Sequence, residues 1–196
     1  MTLRNARLLN RIPAIEVFPV VENTSLPAKA TEMEAFPIRA TVFRDGHDQF
    51  GADAVLITPG GKEFSRARMY DVSPGNSVFE AWAMPNTTGP WTFRIDTWSD
   101  PWSTWLHDAG VKIESGVDAE LMCEEGAQLM ERMATGKIKR TTRPPRTPAY
   151  RAAKPDAAAV AELTEAAEIL RNQSIPPLAR FHSATGANIQ EIAKTY

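Results

Sequence analysis

The chain has 196 residues, 43% of them hydrophobic and 23% charged, and a formal net charge of −2 at pH 7. That composition supports one or two globular domains with a real core, and its near-neutral balance gives no case for nucleic acid or an anionic membrane surface. The single cysteine, Cys123, excludes an internal disulfide and a multi-cysteine metal site; with no membrane-length apolar run and no signal-peptide core behind Met1–Arg7, the expected location is the cytoplasm.

Residues 11–115 read as strands and turns. Arg11–Val21 alternates loosely around Pro13 and Pro19, which suits an edge strand because proline cannot donate to a ladder. In Phe36–Phe43, Phe36, Ile38, Ala40 and Val42 alternate with Arg39 and Thr41, the period of a half-buried strand. Ala52–Thr58, Glu63–Tyr70 and Val78–Met84 follow as strands, divided by turn signals at Asp45-Gly46, Pro59-Gly60-Gly61, Pro74-Gly75-Asn76 and Asn86–Pro90. All five tryptophans fall between Trp82 and Trp105. Trp91, Phe93 and Ile95 alternate with Thr92, Arg94 and Asp96, so Trp91 is expected between two sheets together with Trp82. Ser99-Asp100-Pro101 breaks that strand, and Lys112–Glu114 is read as the last strand of the set. About seven short strands at this spacing predict an immunoglobulin-like β-sandwich.

After Gly116 the pattern changes, and residues 116–196 are predicted to be an α-helical segment. Val117–Ala134 has apolar residues at helical spacing, with acids early and basic residues just beyond its end, an order that complements the helix dipole. Asp156–Asn172 is a second amphipathic helix, ended by Pro176-Pro177, and a third lies over Asn188–Thr195. Met122, Leu129, Met130, Met133, Leu163 and Leu170 present more apolar surface than three short helices would hide, which predicts self-association through this half. The stripe of the last helix stops in mid-pattern at Tyr196, as expected of a chain that continues.

No catalytic, cofactor-binding or metal-ligating residue is assigned. Glu120, Glu124, Glu125 and Glu131 are read as solvated helix positions, because glycosyl chemistry needs two carboxylates facing one substrate. His47, His107 and His182 lack ligand spacing, and Cys123 on a helix is read as a buried small apolar residue. Lys137–Lys154 is basic and proline-rich, an extended linker or a contact for an acidic partner. Trp98, Trp102 and Trp105 have two readings: a sugar-stacking platform, or a buried aromatic corner, which the weight of aromatic rings in cores favours.

Five segments then resemble one family: Arg11–Val21, Leu26–Ala30, Ala40–Asp48, Trp98–His107 and Asp118–Ala127, in that order. They resemble the N-terminal region of the bacterial α-1,4-glucan:maltose-1-phosphate maltosyltransferases of the α-amylase superfamily. The likeness covers residues 11–134; over the alanine-rich helices only helical character matches. The resemblance implies an immunoglobulin-like domain with a helical insertion, both used in dimerisation and both preceding a catalytic barrel. The parent would transfer maltosyl units from maltose 1-phosphate to α-glucans without a cofactor. A (β/α)₈ barrel needs on the order of 250 residues, so the barrel is expected beyond Tyr196 and this chain alone is expected to be inactive. The alternative reading is an α-glucan-binding module built on Trp98, Trp102 and Trp105.

Overall fold

The computed structural model describes residues 11–22, 25–136 and 154–195. Apart from Lys154, the basic segment 137–154 lies outside the described residues. The chain divides into two compact units, one of sheets ending at Ser99 and one of helices beginning at Asp100.

The first unit holds seven strands among the described residues, in two antiparallel sheets. In chain order these are β1 (Ala14–Phe18), β2 (Phe36–Val42), β3 (Phe50–Ile57), β4 (Glu63–Arg68), β5 (Tyr70–Ser73), β6 (Val78–Ala83) and β7 (Thr92–Ser99). One sheet has the order β1-β2-β6-β5, the other β4-β3-β7. Both contribute to one apolar cluster: Ile38, Ala40, Val42, Ala81 and Ala83 from the first, Ala52, Ala54 and Leu56 from the second, with Met69 between β4 and β5. Strand alternation accounts for the selection, since Pro37, Arg39 and Thr41 point away from the cluster that their neighbours fill. The expected edge strand is confirmed, as β1 lies at the border of its sheet.

In β6 the phase is the reverse of the sequence expectation for Trp82. Phe79, Ala81 and Ala83 take the core side, and Trp82 shares the outer side with Glu80. Trp91 precedes β7 and is part-buried: its indole donates to Thr87 O at 2.7 Å and its ring meets Phe64 edge-on at 5.1 Å.

The second unit starts earlier than the composition suggests. Residues expected to form a final strand over Lys112–Glu114 are the last turn of α1 (Pro101–Glu114). Asp100 caps this helix by accepting from Ser103 N at 3.0 Å, and Pro101 takes the first helical position, where its missing N–H costs nothing. Gly116, at φ +72°, closes it: Gly116 N donates to Ile113 O and Val117 N to Lys112 O. Then come α2 (Ala119–Ala134), α3 (Ala157–Arg171), α4 (Pro177–Ala184) and α5 (Ala187–Thr195). Asp156 caps α3 through Ala159 N at 2.8 Å. Pro177, expected only to stop a helix, starts α4.

These five helices close one core around Trp105, Met130, Leu163, Leu170 and Phe181. Met122, Leu129, Met130, Met133, Leu163 and Leu170 are all buried in it. The apolar surface expected to remain open for self-association is thus hidden within the unit, because α1 and α4 supply walls that three helices would lack. The buried Arg180 ties the bundle: Nη1 donates to Leu170 O at 2.8 Å, satisfying a carbonyl at the end of α3, while Nη2 pairs with Glu120 at the start of α2. No described helix is long and apolar enough to cross a membrane.

Candidate functional site

The three tryptophans named as a platform are only 5%, 4% and 7% exposed at Trp98, Trp102 and Trp105. Trp98 belongs to the sheet unit. Its ring lies against Gly51 on β3, where an added Cβ would come within 2.5 Å of it, and the Arg68 guanidinium stacks 4.6 Å from its centroid. Trp102 and Trp105 belong to α1, with ring centroids 5.2 Å apart. Trp105 Nε1 donates to Met122 O at 2.8 Å, locking α1 to α2. None of the three presents a free ring face of the area a sugar would stack on, so burial, the favoured reading of their chemistry, is what the geometry shows.

The outer face of the three-stranded sheet is ionic. Register places Asp53, Arg68 and Asp96 in one row across it and Val55, Arg66 and Arg94 in the next. Arg66 donates to Asp53 at 3.1 Å, Asp96 at 2.9 Å and Glu63 at 3.0 Å; Arg94 donates to Asp96 and Glu63, each at 2.9 Å. Burial pushes the Asp53 carboxyl up from its ordinary value, against the opposing hydrogen bond and charge of Arg66. Burial also works against ionised Glu63, but hydrogen bonds from Arg66 and Arg94 outweigh it and hold that carboxyl low. Each acid of this group answers to a guanidinium, so the arrangement is a structural lattice rather than a poised acid–base pair.

The outer face of the four-stranded sheet is different in kind. Phe18, Arg39, Glu80 and Tyr70 are successive cross-strand partners and form one row over β1, β2, β6 and β5. Pro37 and Trp82 are partners in the row beside it. Ile15, Thr41 and Val78 form a third. Tyr70 and Trp82 are 69% and 57% exposed, the two most exposed aromatic rings among the described residues of this unit, whereas Trp98 is buried. Arg39 pairs with Glu80 in the middle of the face, and Trp82 Nε1 donates to Glu80 Oε1 at 3.0 Å. A bulge in β1 brings Phe18 rather than Val17 opposite Arg39; Glu16, at φ +52°, takes up the extra residue. Sequence reasoning missed this face, although Glu80 shares the period-two phase of Trp82 and marked it as outward.

Beside β7, the border strand of its sheet, runs an open groove of about 1020 Å³. Val17, Val20, Leu26, Phe36, Trp91 and Phe93 line it. In the helical unit a smaller hollow of about 330 Å³ lies over Trp105, Leu129 and Arg132. Among the described residues no group of three His, Cys, Asp or Glu side chains could hold a metal ion.

Two antiparallel sheets sharing one core, followed by a helical unit with five helices among the described residues, the first capped at Asp100, define a two-unit β-then-α protein. Residues 10–196 match the family described as alpha-1,4-glucan:maltose-1-phosphate maltosyltransferase, domain N/S, and the chain belongs to that family. Similar proteins agree. Alpha-1,4-glucan:maltose-1-phosphate maltosyltransferase 1 of Streptomyces coelicolor is 35% identical over 185 residues, covering 94% of this chain and 25% of the relative. The maltosyltransferase of Mycolicibacterium smegmatis is 31% identical over 221 residues, covering 97% and 28%. That of Arcanobacterium haemolyticum is 42% identical over 128 residues, covering 65% and 18%. The chain thus spans between 18% and 28% of the length of these relatives.

Proposed function

We propose that this chain is the non-catalytic N-terminal part of an enzyme that transfers maltosyl units from maltose 1-phosphate to α-1,4-glucans, and that it serves assembly and dimerisation. The match of residues 10–196 to the N/S domain supports the reading, together with the small share of each maltosyltransferase that the chain covers. Chemistry then belongs to a catalytic barrel in the same polypeptide, with glucan and maltose 1-phosphate as its substrates, in the cytoplasm. The two sheets are read as an immunoglobulin-like sandwich. In favour of that reading, β1-β2-β6-β5 reproduces the A-B-E-D order of a constant-type sheet, with β3 and β7 in the C and F places opposite.

Phosphate release from maltose 1-phosphate in the presence of glycogen tests the first half of the proposal. The purified chain stays at background; reproducible turnover by it overturns a non-catalytic role. Sedimentation of the same chain tests the second half, with a mass above the 21.6 kDa of one copy as the expected result. The helical segment, first expected to be the dimer face, keeps Val111, Val117 and Leu121 exposed, but the residues that motivated the expectation are enclosed.

A further inference from the structure

We propose that the main chain rearranges at Asp45-Gly46, where the Asp45 carboxyl closes on the Gly46 amide and reopens as isoaspartate, making this loop a methyl acceptor for a carboxyl methyltransferase of isoaspartyl groups. Two conditions govern that chemistry: the carboxyl must be free to turn onto the next amide, and that amide must be unbonded and uncrowded. Both hold here, in the loop that leads from β2 in one sheet to β3 in the other. Asp45 is exposed, and among the described residues no hydrogen bond or ion pair engages its carboxyl. The neighbouring cation, Arg44, is turned elsewhere, to Asp48 and to Ser99 Oγ at 2.9 Å. Gly46 lies at φ +95° with open space where a Cβ would stand, and its N–H donates to no acceptor among the described residues. Glycine takes this conformation without strain and leaves its nitrogen unshielded. Backbone bonds resume on either side: Phe43 N donates to Pro13 O, and Phe50 pairs with Ser99 across β3 and β7. Residues 44–49 form the arch between those two fixed points.

Three other pairs show what holds the reaction back. Asn76, before Ser77, donates from its side-chain amide to Ser73 Oγ and from its main chain to Ser73 O, each at 2.9 Å. Asp71 accepts from Ser73 N at 2.9 Å and precedes the branched Val72. Asp53 lies within β3, its carboxyl bonded to Arg66. At Asp45 the step balances with water alone. Gly46 N bonds to Asp45 Cγ, a carboxyl oxygen leaves as water with the amide proton, and a five-membered succinimide results. Water then adds at either carbonyl. Opening at the former peptide carbonyl gives isoaspartate; opening at Cγ restores aspartate. The product keeps mass and charge but has one more carbon in its main chain, between Arg44 and Asp48, so the ion pair spanning the arch and the Arg44–Ser99 bond are the contacts it reshapes. Its freed α-carboxylate takes a methyl group from S-adenosylmethionine, leaving S-adenosylhomocysteine, and the ester closes to the succinimide again with loss of methanol.

The 196-residue chain and synthetic peptides around Asp45 and Asn76 are aged in water enriched in heavy oxygen, digested, and read by mass spectrometry with electron-transfer fragmentation. An arch that opens at almost no free-energy cost lets isoaspartate build up at position 45 of the folded chain within about tenfold of its peptide rate. Asn76, held by Ser73, deamidates at least about tenfold more slowly in the folded chain than in its own peptide. An isoaspartyl methyltransferase with tritiated S-adenosylmethionine then labels the aged chain. Asp45→Glu keeps the charge but disfavours the ring, and removes most of that label, with far-ultraviolet melts showing that the variant is folded.

Protection of Asp45 in the folded chain, or labelling unchanged by Asp45→Glu, overturns the proposal. So does an Asn76 as reactive as Asp45 relative to its peptide, since hydrogen bonding would then not govern which pair reacts.

Discussion

The ring of Trp105 lies so close over Gly126 that a Cβ built on the glycine would sit 2.1 Å from Trp105 Cζ2. The same Cβ would come within 2.9 Å of Leu170. Gly126 is therefore the place where α1 and α3 approach the backbone of α2, and the glycine costs α2 helix propensity in exchange for that approach.

Gly126→Ala should destabilise the chain by about 1–3 kcal/mol through overpacking, despite the gain of up to about 1 kcal/mol in helix propensity. Trp105→Ala should cost about 3–5 kcal/mol by opening a cavity and leaving Met122 O without its donor. In a Trp105→Leu background the nearest obstruction is gone and only the end of the Leu170 side chain, at 2.9 Å, has to give, so Gly126→Ala should cost much less than it does in the parent. Urea midpoints of the four chains form the cycle, and additive effects would show that the two residues do not interact.

The second prediction concerns pH. Asp53 has a folded-state carboxyl pKa above its ordinary value of 3.8, so its contribution to stability is fully present below that value and is lost as pH rises through the folded pKa. Ionised Asp53 is thus a liability at neutral pH. Asp53→Asn, which keeps the shape and an acceptor for Arg66, should be at least as stable as the parent at pH 7. The advantage should disappear as pH falls towards 3.8. Glu63, held low, has the opposite sign: its contribution is present above 4.5 and lost in more acid solution. Denaturant melts of Asp53→Asn and Glu63→Gln at several pH values read both slopes.

Among the tryptophans, acrylamide should find Trp82 first. Trp98, Trp102 and Trp105 are buried and Trp91 is part-buried against Phe64. Trp82→Phe should remove most of the easily quenched emission in dilute protein. Equal quenching before and after that change would mean the β6 phase is wrong.

Cys123 should be silent towards thiol reagents in the folded chain. Burial raises its thiol pKa, which the nearby Arg180 charge only partly opposes. Labelling should track opening of the helical unit, with a rate that rises in parallel with unfolding in urea.

Much of this fold can be read from residue order, and the failures have physical causes. The strand over Phe36–Val42 and the helices α2 and α3 appear close to where periodicity puts them, because each buries one face of a regular element; β3, buried on both faces, starts two residues ahead of the expected Ala52–Thr58. α1 was hidden by Asp100-Pro101. That dipeptide breaks a strand, but it is equally an N-cap followed by a first-turn proline, and the tryptophans beyond it sit one helical turn apart. Pro176-Pro177 misled in the same way at α4. Aromatic density drew attention to Trp98–Trp105, where the rings are buried in packing. The exposed ring, Trp82, stands alone in sequence between two alanines whose small side chains fill the core side of β6.

Met69 is the entire connection between β4 and β5, its side chain buried and its N–H bonded to Ala52 O at 2.9 Å. A link of one residue has no slack. Neither sheet can fray towards it without dragging the other, so the two should behave as a single foldon. Slowly exchanging amides on β2 and β3 should then share one opening free energy, equal to that of global unfolding of the unit. Lengthening the link with glycines should split that common value into two, as each sheet gains the freedom to open by itself.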